Sequence, residues 1–258
     1  MLAVGLTTLP IVDTSPLPAT ATATATASLA ISGTATPSRI PRPTNTPRPA
    51  FSPTACSLSF TDVLTSSIFY ADIQFLVCQG IVAGYPNADG TSRFEPNAAT
   101  TRGQFAKIAV LSFGLPIVGP YYATFSDVDG SNLLYSFIES AAYAGAISGY
   151  PAAECVGGGT PIPSKPCYLP NEPVSRVQVA VITQRARRYA LLTPTAASFQ
   201  DVPAGSFGYQ AIETLVHEGI ISGATCSGTS GPLCFRPNDF SKRGELSKVV
   251  RRAISVLP

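Results

Sequence analysis

Three arginines follow predicted helix-capping positions, where each could bind an anion. They are found in the segments "TTRGQFAKIAV", "VSRVQVAVI" and "SKRGELSKVV" as Arg102, Arg176 and Arg243. A cation in the first turn of a helix opposes the helix dipole, so stability alone would favour Asp or Glu there. The three positions therefore predict an anionic partner, either within the protein or on a ligand.

Two kinds of partner for these arginines are open from the sequence. Asp62, Asp127 and Asp201 recur at matching places along the chain, and bidentate arginine–carboxylate pairs could join neighbouring segments. Alternatively, each guanidinium could act with the N–H groups of the helix start to bind a carboxylate or phosphate of a ligand.

The arginines belong to a repeated pattern. The segments "FTDV", "FSDV" and "FQDV" recur, and each is followed by Tyr, Ile, Gly and Gly at seven, ten, seventeen and twenty-one residues from its valine. The segments "FEPN", "YLPN" and "FRPN" then precede the arginine turns. The pattern predicts a Thr/Ala/Pro-rich linker over residues 1–57, then repeat 1 over 58–118, repeat 2 over 119–193 and repeat 3 over 194–258.

Each predicted repeat carries the signals of two helices. Apolar residues at helical spacing are followed by Gly80, Gly145 or Gly219, which suit the left-handed end of a first helix. Thr101 with Gln104, and Ser175 with Gln178, predict capping boxes at the start of a second helix. In repeat 3 Lys242 holds the cap position, so we expect Ser241 to assist. One such unit cannot bury both faces, so the repeats should pack together.

Six cysteines predict three disulfides. Cys167 and Cys234 each precede an equivalent aromatic residue and have one upstream partner in the same loop, Cys155 and Cys226, which leaves Cys56 for Cys78. The alternative is a metal site, but the chain has no C-x-x-C pair and a single histidine, so we expect no metal ligands. Disulfides are typical of an extracellular location.

Composition narrows the classes of function. The chain has 258 residues, of which 45% are hydrophobic and 12% charged, so it can bury a core. Beyond the linker, basic and acidic residues balance, and we expect no nucleic-acid partner. No segment approaches the length of a membrane span. No nucleophile–base pair, metal cluster or phosphate loop is visible, so we expect neither an enzyme nor a cofactor.

The repeated residues resemble a known family. The shared order is F-x-D-V, then a first helix ending in glycine, an aromatic-x-P turn and T/S-R-x-Q/E at the start of a second helix. This order is similar to that of the S-layer homology domain, which usually occurs in a set of three. The resemblance implies an all-α fold of three two-helix modules with little or no β structure. It also implies a pseudo-threefold arrangement around a central three-helix bundle formed by the first helices, with grooves between neighbouring modules.

The same resemblance implies a function at the cell surface. The grooves of such domains hold secondary cell-wall polysaccharide, often pyruvylated, and so anchor surface proteins without a covalent bond; other surface-layer proteins are further partners. The implied ligand-binding residues are Arg102, Arg176, Arg243, Gln104, Gln178, Glu245, Tyr70, Tyr135 and Tyr209. The three tyrosines could stack on sugars, but residues at fixed helical positions more often belong to the core.

The chain departs from the family pattern at two places. The usual T-R-A-E stands here as "TRGQ", "SRVQ" and "KRGE". The common tryptophan five residues after F-x-D-V is replaced by Ile68, Leu133 and Phe207, and the chain has no tryptophan. The alternative function is an extracellular protein–protein assembly module, with the grooves filled by a partner or a neighbouring copy.

Overall fold

A computed structural model describes residue 56 and residues 59–119, 123–155, 165–226 and 233–257. The chain divides into two units, Met1–Thr46 and Pro47–Pro258, and all described residues belong to the second. The predicted linker over residues 1–57 lies outside the described residues except for Cys56.

The described chain is mostly helical. Its six α-helices are α1 (Tyr70–Cys78), α2 (Arg102–Phe113), α3 (Tyr135–Tyr143), α4 (Arg176–Arg187), α5 (Tyr209–His217) and α6 (Arg243–Ser255). A 3-10 turn spans Ala152–Glu154. Two short antiparallel hairpins pair β1 (Tyr85–Pro86) with β2 (Ser92–Arg93) and β3 (Ala224–Thr225) with β4 (Leu233–Cys234).

The helix boundaries follow local sequence signals. Gly80, Gly145 and Gly219 follow the shorter helices with φ of 66°, 73° and 68°, which confirms the predicted left-handed positions. Both predicted capping boxes are present at the starts of α2 and α4. At α6, Lys242 is the N-cap with no side-chain hydrogen bond, so the expected help from Ser241 is not observed.

The helix packing corrects the expectation about the centre of the bundle. The longer helices α2, α4 and α6 contact one another, whereas α3 packs on α2, α5 on α4 and α1 on α6. The first helices were expected at the centre, but each has only nine residues. The second helices have 12 or 13 residues and bury residues on several sides, as α2 does at Phe105, Ala106 and Ala109.

Three aspartates hold the turns that precede the longer helices. The carboxylate of Asp62 accepts the N–H groups of Phe94 and Glu95 at 2.8 and 2.6 Å. Asp127 and Asp201 make the same pair of bonds at 2.7–2.8 Å, to Tyr168 and Leu169 and to Phe235 and Arg236. Glu95, Leu169 and Arg236 each have positive φ, so the carboxylates stabilise an unusual backbone turn.

The second glycine of each predicted repeat allows a close approach between the chain and an aromatic ring. A Cβ atom at Gly84 would overlap the ring of Phe60, and one at Gly223 would overlap that of Phe199. The F-x-D-V phenylalanines are buried at this contact. Glycine is therefore required here by space.

The three predicted disulfides are confirmed. Cys56 pairs with Cys78, Cys155 with Cys167 and Cys226 with Cys234, with Cα–Cα distances of 5.6, 5.8 and 5.2 Å. Each closes a loop of at most 22 residues, and such cross-links stabilise a fold mainly by restricting the unfolded chain. None of the helices in the described ranges is long and apolar enough to cross a bilayer.

Candidate functional site

Two surface grooves lie beside the arginines at the starts of α2 and α4. Groove 1 has a volume of about 450 Å³, adjoins Arg176, and is lined by one side of α6 together with Ile68 and the loop after α5. Groove 2 has a volume of about 350 Å³, adjoins Arg102, and is lined by one side of α4, the loop after α3 and Phe207. The two grooves place equivalent residues of the predicted repeats around equivalent arginines.

The Arg102 side chain is enclosed by protein groups. The residue is 5% exposed, and its Nε donates to the Tyr168 carbonyl at 2.7 Å while the Tyr168 hydroxyl donates to the Arg102 carbonyl at 2.9 Å. Its guanidinium carbon lies 4.8 and 4.5 Å from the ring centres of Tyr150 and Tyr168. Burial raises the pKa of the Tyr168 hydroxyl further above neutral.

Arg243 is held in the same way. Its Nε donates to the Phe94 carbonyl at 2.8 Å, and its guanidinium carbon lies 4.4 and 5.0 Å from the ring centres of Phe94 and Tyr85. A further bond joins Nη2 to the Ala83 carbonyl at 3.0 Å. Burial lowers the pKa of the Arg243 guanidinium, but an arginine remains a cation at neutral pH.

Arg176 shares the backbone contact but is less enclosed. Its Nε donates to the Phe235 carbonyl at 2.7 Å, with the Phe235 ring centre 4.7 Å from the guanidinium carbon. Ala224 stands where the other two sites have Tyr150 and Tyr85, directly after the second glycine. The Arg176 side chain is 25% exposed and forms an ion pair with Glu245 at 3.5 Å. The Arg176 guanidinium is therefore covered by one aromatic ring rather than two, and its other side faces groove 1.

These contacts exclude the aspartate pairing that the sequence left open. The carboxylates of Asp62, Asp127 and Asp201 accept backbone N–H groups, as described above. Arg102 instead joins α2 to the turn before α4, and Arg176 joins α4 to the turn before α6. Arg243 joins α6 back to the turn before α2 in repeat 1. The arginines thus link the predicted repeats in a closed order.

The helix-start N–H groups are already occupied, which corrects one part of the anion-binding hypothesis. The N–H groups of Arg102 and Gly103 donate to the carbonyls of Glu172 and Pro170 at 2.8 Å. Equivalent carbonyls receive the first N–H groups of α4 and α6. An anion in either groove would therefore meet side chains rather than free backbone donors.

The glutamine and glutamate positions of the arginine turns have different partners. Gln104 and Gln178 accept the N–H groups of their N-cap residues, Thr101 and Ser175, at 3.1 and 3.0 Å. The Gln178 side chain also donates to the Tyr150 hydroxyl at 2.7 Å. Glu245 faces Arg176 across groove 1 instead.

The three tyrosines named from the sequence begin α1, α3 and α5. Tyr70 and Tyr135 are partly buried against the hydrophobic clusters of the core, and Tyr209 is buried within one. None of the three lines groove 1 or groove 2. Tyr70 and Tyr135 pack against the core, whereas Tyr209 also lines a separate surface pocket of about 480 Å³ beside Phe207 and Arg185.

The charged residues that line groove 1 were largely missed from the sequence. The groove is lined by the cations Arg176, Arg236, Lys242, Lys248 and Arg252 and by the acids Asp239 and Glu245. Groove 2 is lined by the cations Arg102 and Arg185 and by no acid among its described residues. Lys248 and Arg252 are four residues apart, so they lie on one face of α6. That spacing was the available signal.

Exposed apolar side chains stand where the family commonly has tryptophan. Ile68, Leu133 and Phe207 are all well exposed, and Leu133 reaches 96%. Ile68 lines groove 1 and Phe207 lines groove 2. Each groove therefore combines cations with an apolar rim.

Comparison with known families agrees with this geometry over part of the chain. Residues 59–106 match the family model for the S-layer homology domain. No curated protein matches the chain. The matched segment runs from the F-x-D-V segment of predicted repeat 1 through α1 and the first turn of α2. One S-layer homology domain is thereby identified, and such a domain indicates association with cell-wall polymers at the cell surface.

Proposed function

We propose that the chain is an extracellular anchor that binds a cell-wall polysaccharide without a covalent bond. In this proposal residues 58–118, 119–193 and 194–258 are three S-layer homology repeats in a pseudo-threefold arrangement. The closed order of arginine contacts supports it, because α2, α4 and α6 each send one arginine to the next repeat. Residues 1–57 act as a linker.

The ligand of this anchor is a secondary cell-wall polysaccharide that carries anionic groups, such as pyruvyl substituents. The observation that carries the proposal is the charge of groove 1, in which five cations face two acids. Cations gathered in a concave site raise the local concentration of an anionic ligand and favour its binding. No cofactor and no catalytic step are needed for such a role.

The arginines have two roles in this proposal. The Nε group of each arginine donates to a backbone carbonyl of the next repeat, and the remaining N–H groups of Arg102 and Arg243 contact protein groups. Arg176 is the one whose opposite edge is accessible, because Ala224 leaves its outer face uncovered. We therefore place the main contact to the polysaccharide at Arg176, with Glu245 beside it to orient the guanidinium.

A protein–protein assembly module is the second candidate. The exposed side chains of Ile68, Leu133 and Phe207 favour it, because apolar groups on a surface often mark a protein contact. Other surface-layer proteins or a second copy of the chain would then fill the grooves. The charge of groove 1 favours the polysaccharide, since protein interfaces are depleted of charge at their cores.

Sedimentation with purified cell-wall sacculi tests the proposal. The full chain should co-sediment with intact sacculi and lose most of this binding after hydrofluoric acid removes the secondary polymer. Arg176→Ala should weaken binding at least about tenfold, since the removed cation lies in a partly desolvated groove. Arg188→Ala is the matched control, because Arg188 is exposed and lines neither groove.

Two results would contradict the anchor. Equal binding to intact and stripped sacculi would remove the polysaccharide as the ligand. Self-association of the chain, with no affinity for sacculi, would favour the assembly module instead.

A further inference from the structure

Phe240 is an exposed aromatic residue that the proposed function has not used. It lies three residues before Arg243, where the other predicted repeats have Ala99 and Pro173. It is 58% exposed and lines groove 1 together with Ile68, Lys242 and Arg176. Its ring adds an accessible aromatic face to the charged lining of groove 1.

The backbone on both sides of Phe240 is fixed. The Asp239 carbonyl accepts the Arg176 N–H at 2.9 Å, and the Ser241 N–H donates to the Val174 carbonyl at 2.9 Å. Phe240 itself forms an antiparallel bridge with Ser175. The ring is therefore presented from a rigid segment, and a ligand that packs on it does not have to order a loop.

The surroundings of Phe240 define the chemistry of the ligand. An aromatic ring offers a flat apolar face with partial negative charge, which suits the C–H groups on one face of a sugar ring. The groove beside it holds five cations against two acids, which suits a carboxylate or phosphate. One ligand that satisfies both features is a saccharide with an anionic substituent next to an apolar ring face.

The geometry points to Phe240 as a specificity-determining residue of groove 1, on which a sugar unit of the polysaccharide stacks while Arg176 and Lys242 meet its anionic group. This inference rests on the proposed anchoring function. It also predicts that groove 1 and groove 2 differ in their preference for sugars, because Pro173 replaces the ring in repeat 2.

Substitution in the full chain separates this inference from the proposed function. Phe240→Ala should weaken binding to intact sacculi about tenfold, the expected scale for loss of an aromatic contact. Phe240→Leu should also weaken it, because it keeps apolar bulk but loses the flat ring. Tyr143→Ala is the matched control, since Tyr143 is 67% exposed and lines neither groove.

A single tryptophan gives a direct reading of the site. Because the chain has none, Phe240→Trp introduces a single tryptophan into groove 1, and its emission can be excited separately from that of the tyrosines. Its emission should shift when the polymer released from sacculi by hydrofluoric acid is added, and Tyr143→Trp should show no shift.

The outcomes distinguish the two proposals. If the unchanged chain fails to bind sacculi, the anchoring function fails. If that chain binds but Phe240→Ala binds equally well, only the stacking inference is overturned. An emission shift of Phe240→Trp that depends on protein concentration, without added polymer, would overturn the inference in favour of a second copy of the chain.

Discussion

Arg102 and Arg176 occupy the same place in two predicted repeats, yet their surroundings differ. Both follow a capped N-terminus, and both donate Nε to a backbone carbonyl at 2.7 Å. Arg102 is covered by two aromatic rings, whereas Arg176 has one ring and an exposed edge beside Glu245. The contrast separates the structural part of the arginine's role from the part that is free for a ligand.

The residue after the second glycine controls this difference. Tyr150 and Tyr85 bring a ring to within 4.8 and 5.0 Å of Arg102 and Arg243, and Ala224 brings none to Arg176. The cap position differs in the same direction. Ser175 caps α4 beside groove 2, whereas Lys242 adds a cation beside groove 1 and leaves α6 uncapped. Groove 1 thus lacks two stabilising contacts, the second ring over its arginine and the side-chain cap of α6, and has two accessible cations, Arg176 and Lys242.

The largest expected effect is on stability at Arg102. Arg102→Ala removes a buried donor from the Tyr168 carbonyl and leaves two rings without their cation. We expect the free energy of unfolding to fall by about 3 kcal/mol, against about 1.5 kcal/mol for Arg176→Ala. Denaturant melts of both variants measure this. Equal losses would show that burial does not separate the two sites.

Removal of the covering ring should have the next largest effect. Tyr150→Ala takes away the ring over Arg102 and the hydroxyl that accepts from Gln178 at 2.7 Å. The expected loss is about 2 kcal/mol of unfolding free energy. Tyr150→Phe keeps the ring and should lose about 1 kcal/mol, the part due to the hydrogen bond. If both variants melt alike, the ring contributes nothing to the site.

Addition of a ring to groove 1 tests the same contrast in reverse. Ala224→Tyr should cover the exposed edge of Arg176, as Tyr150 covers Arg102. Binding to intact sacculi should then weaken about tenfold, or about 1.4 kcal/mol, while the chain melts at the same temperature or slightly higher. Unchanged binding would remove the open face of Arg176 from the proposed mechanism.

The smallest expected effect concerns the cap of α6. Lys242→Thr supplies the side-chain acceptor that Thr101 and Ser175 already provide and removes a cation from a helix start. Unfolding free energy should rise by about 1 kcal/mol. Binding to sacculi should fall if Lys242 meets the ligand. A gain in stability without weaker binding would indicate that the lysine is not part of the site.

Much of the fold was predictable because its signals are local. Left-handed glycines and capping boxes depend on residues a few positions apart, and these predictions were confirmed at Gly80, Gly145, Gly219, Thr101 and Ser175. The disulfides followed from cysteine positions within single loops. The buried carboxylates of Glu139 and Glu213, which hold Thr124 and Ser198, were missed because their partners lie 15 residues away in the preceding segment.

The sequence by itself determined where the first helices end, where α2 and α4 begin, the cysteine pairing and the positions of three arginines. Tertiary structure decided which helices meet at the centre and what the arginines contact. The carbonyls that receive their Nε groups lie 66, 59 and 149 residues away along the chain. Contacts over such separations depend on how whole elements pack. The effect of a one-residue difference, such as Ala224 in place of Tyr150, can be seen only when packing places a distant arginine beside that residue.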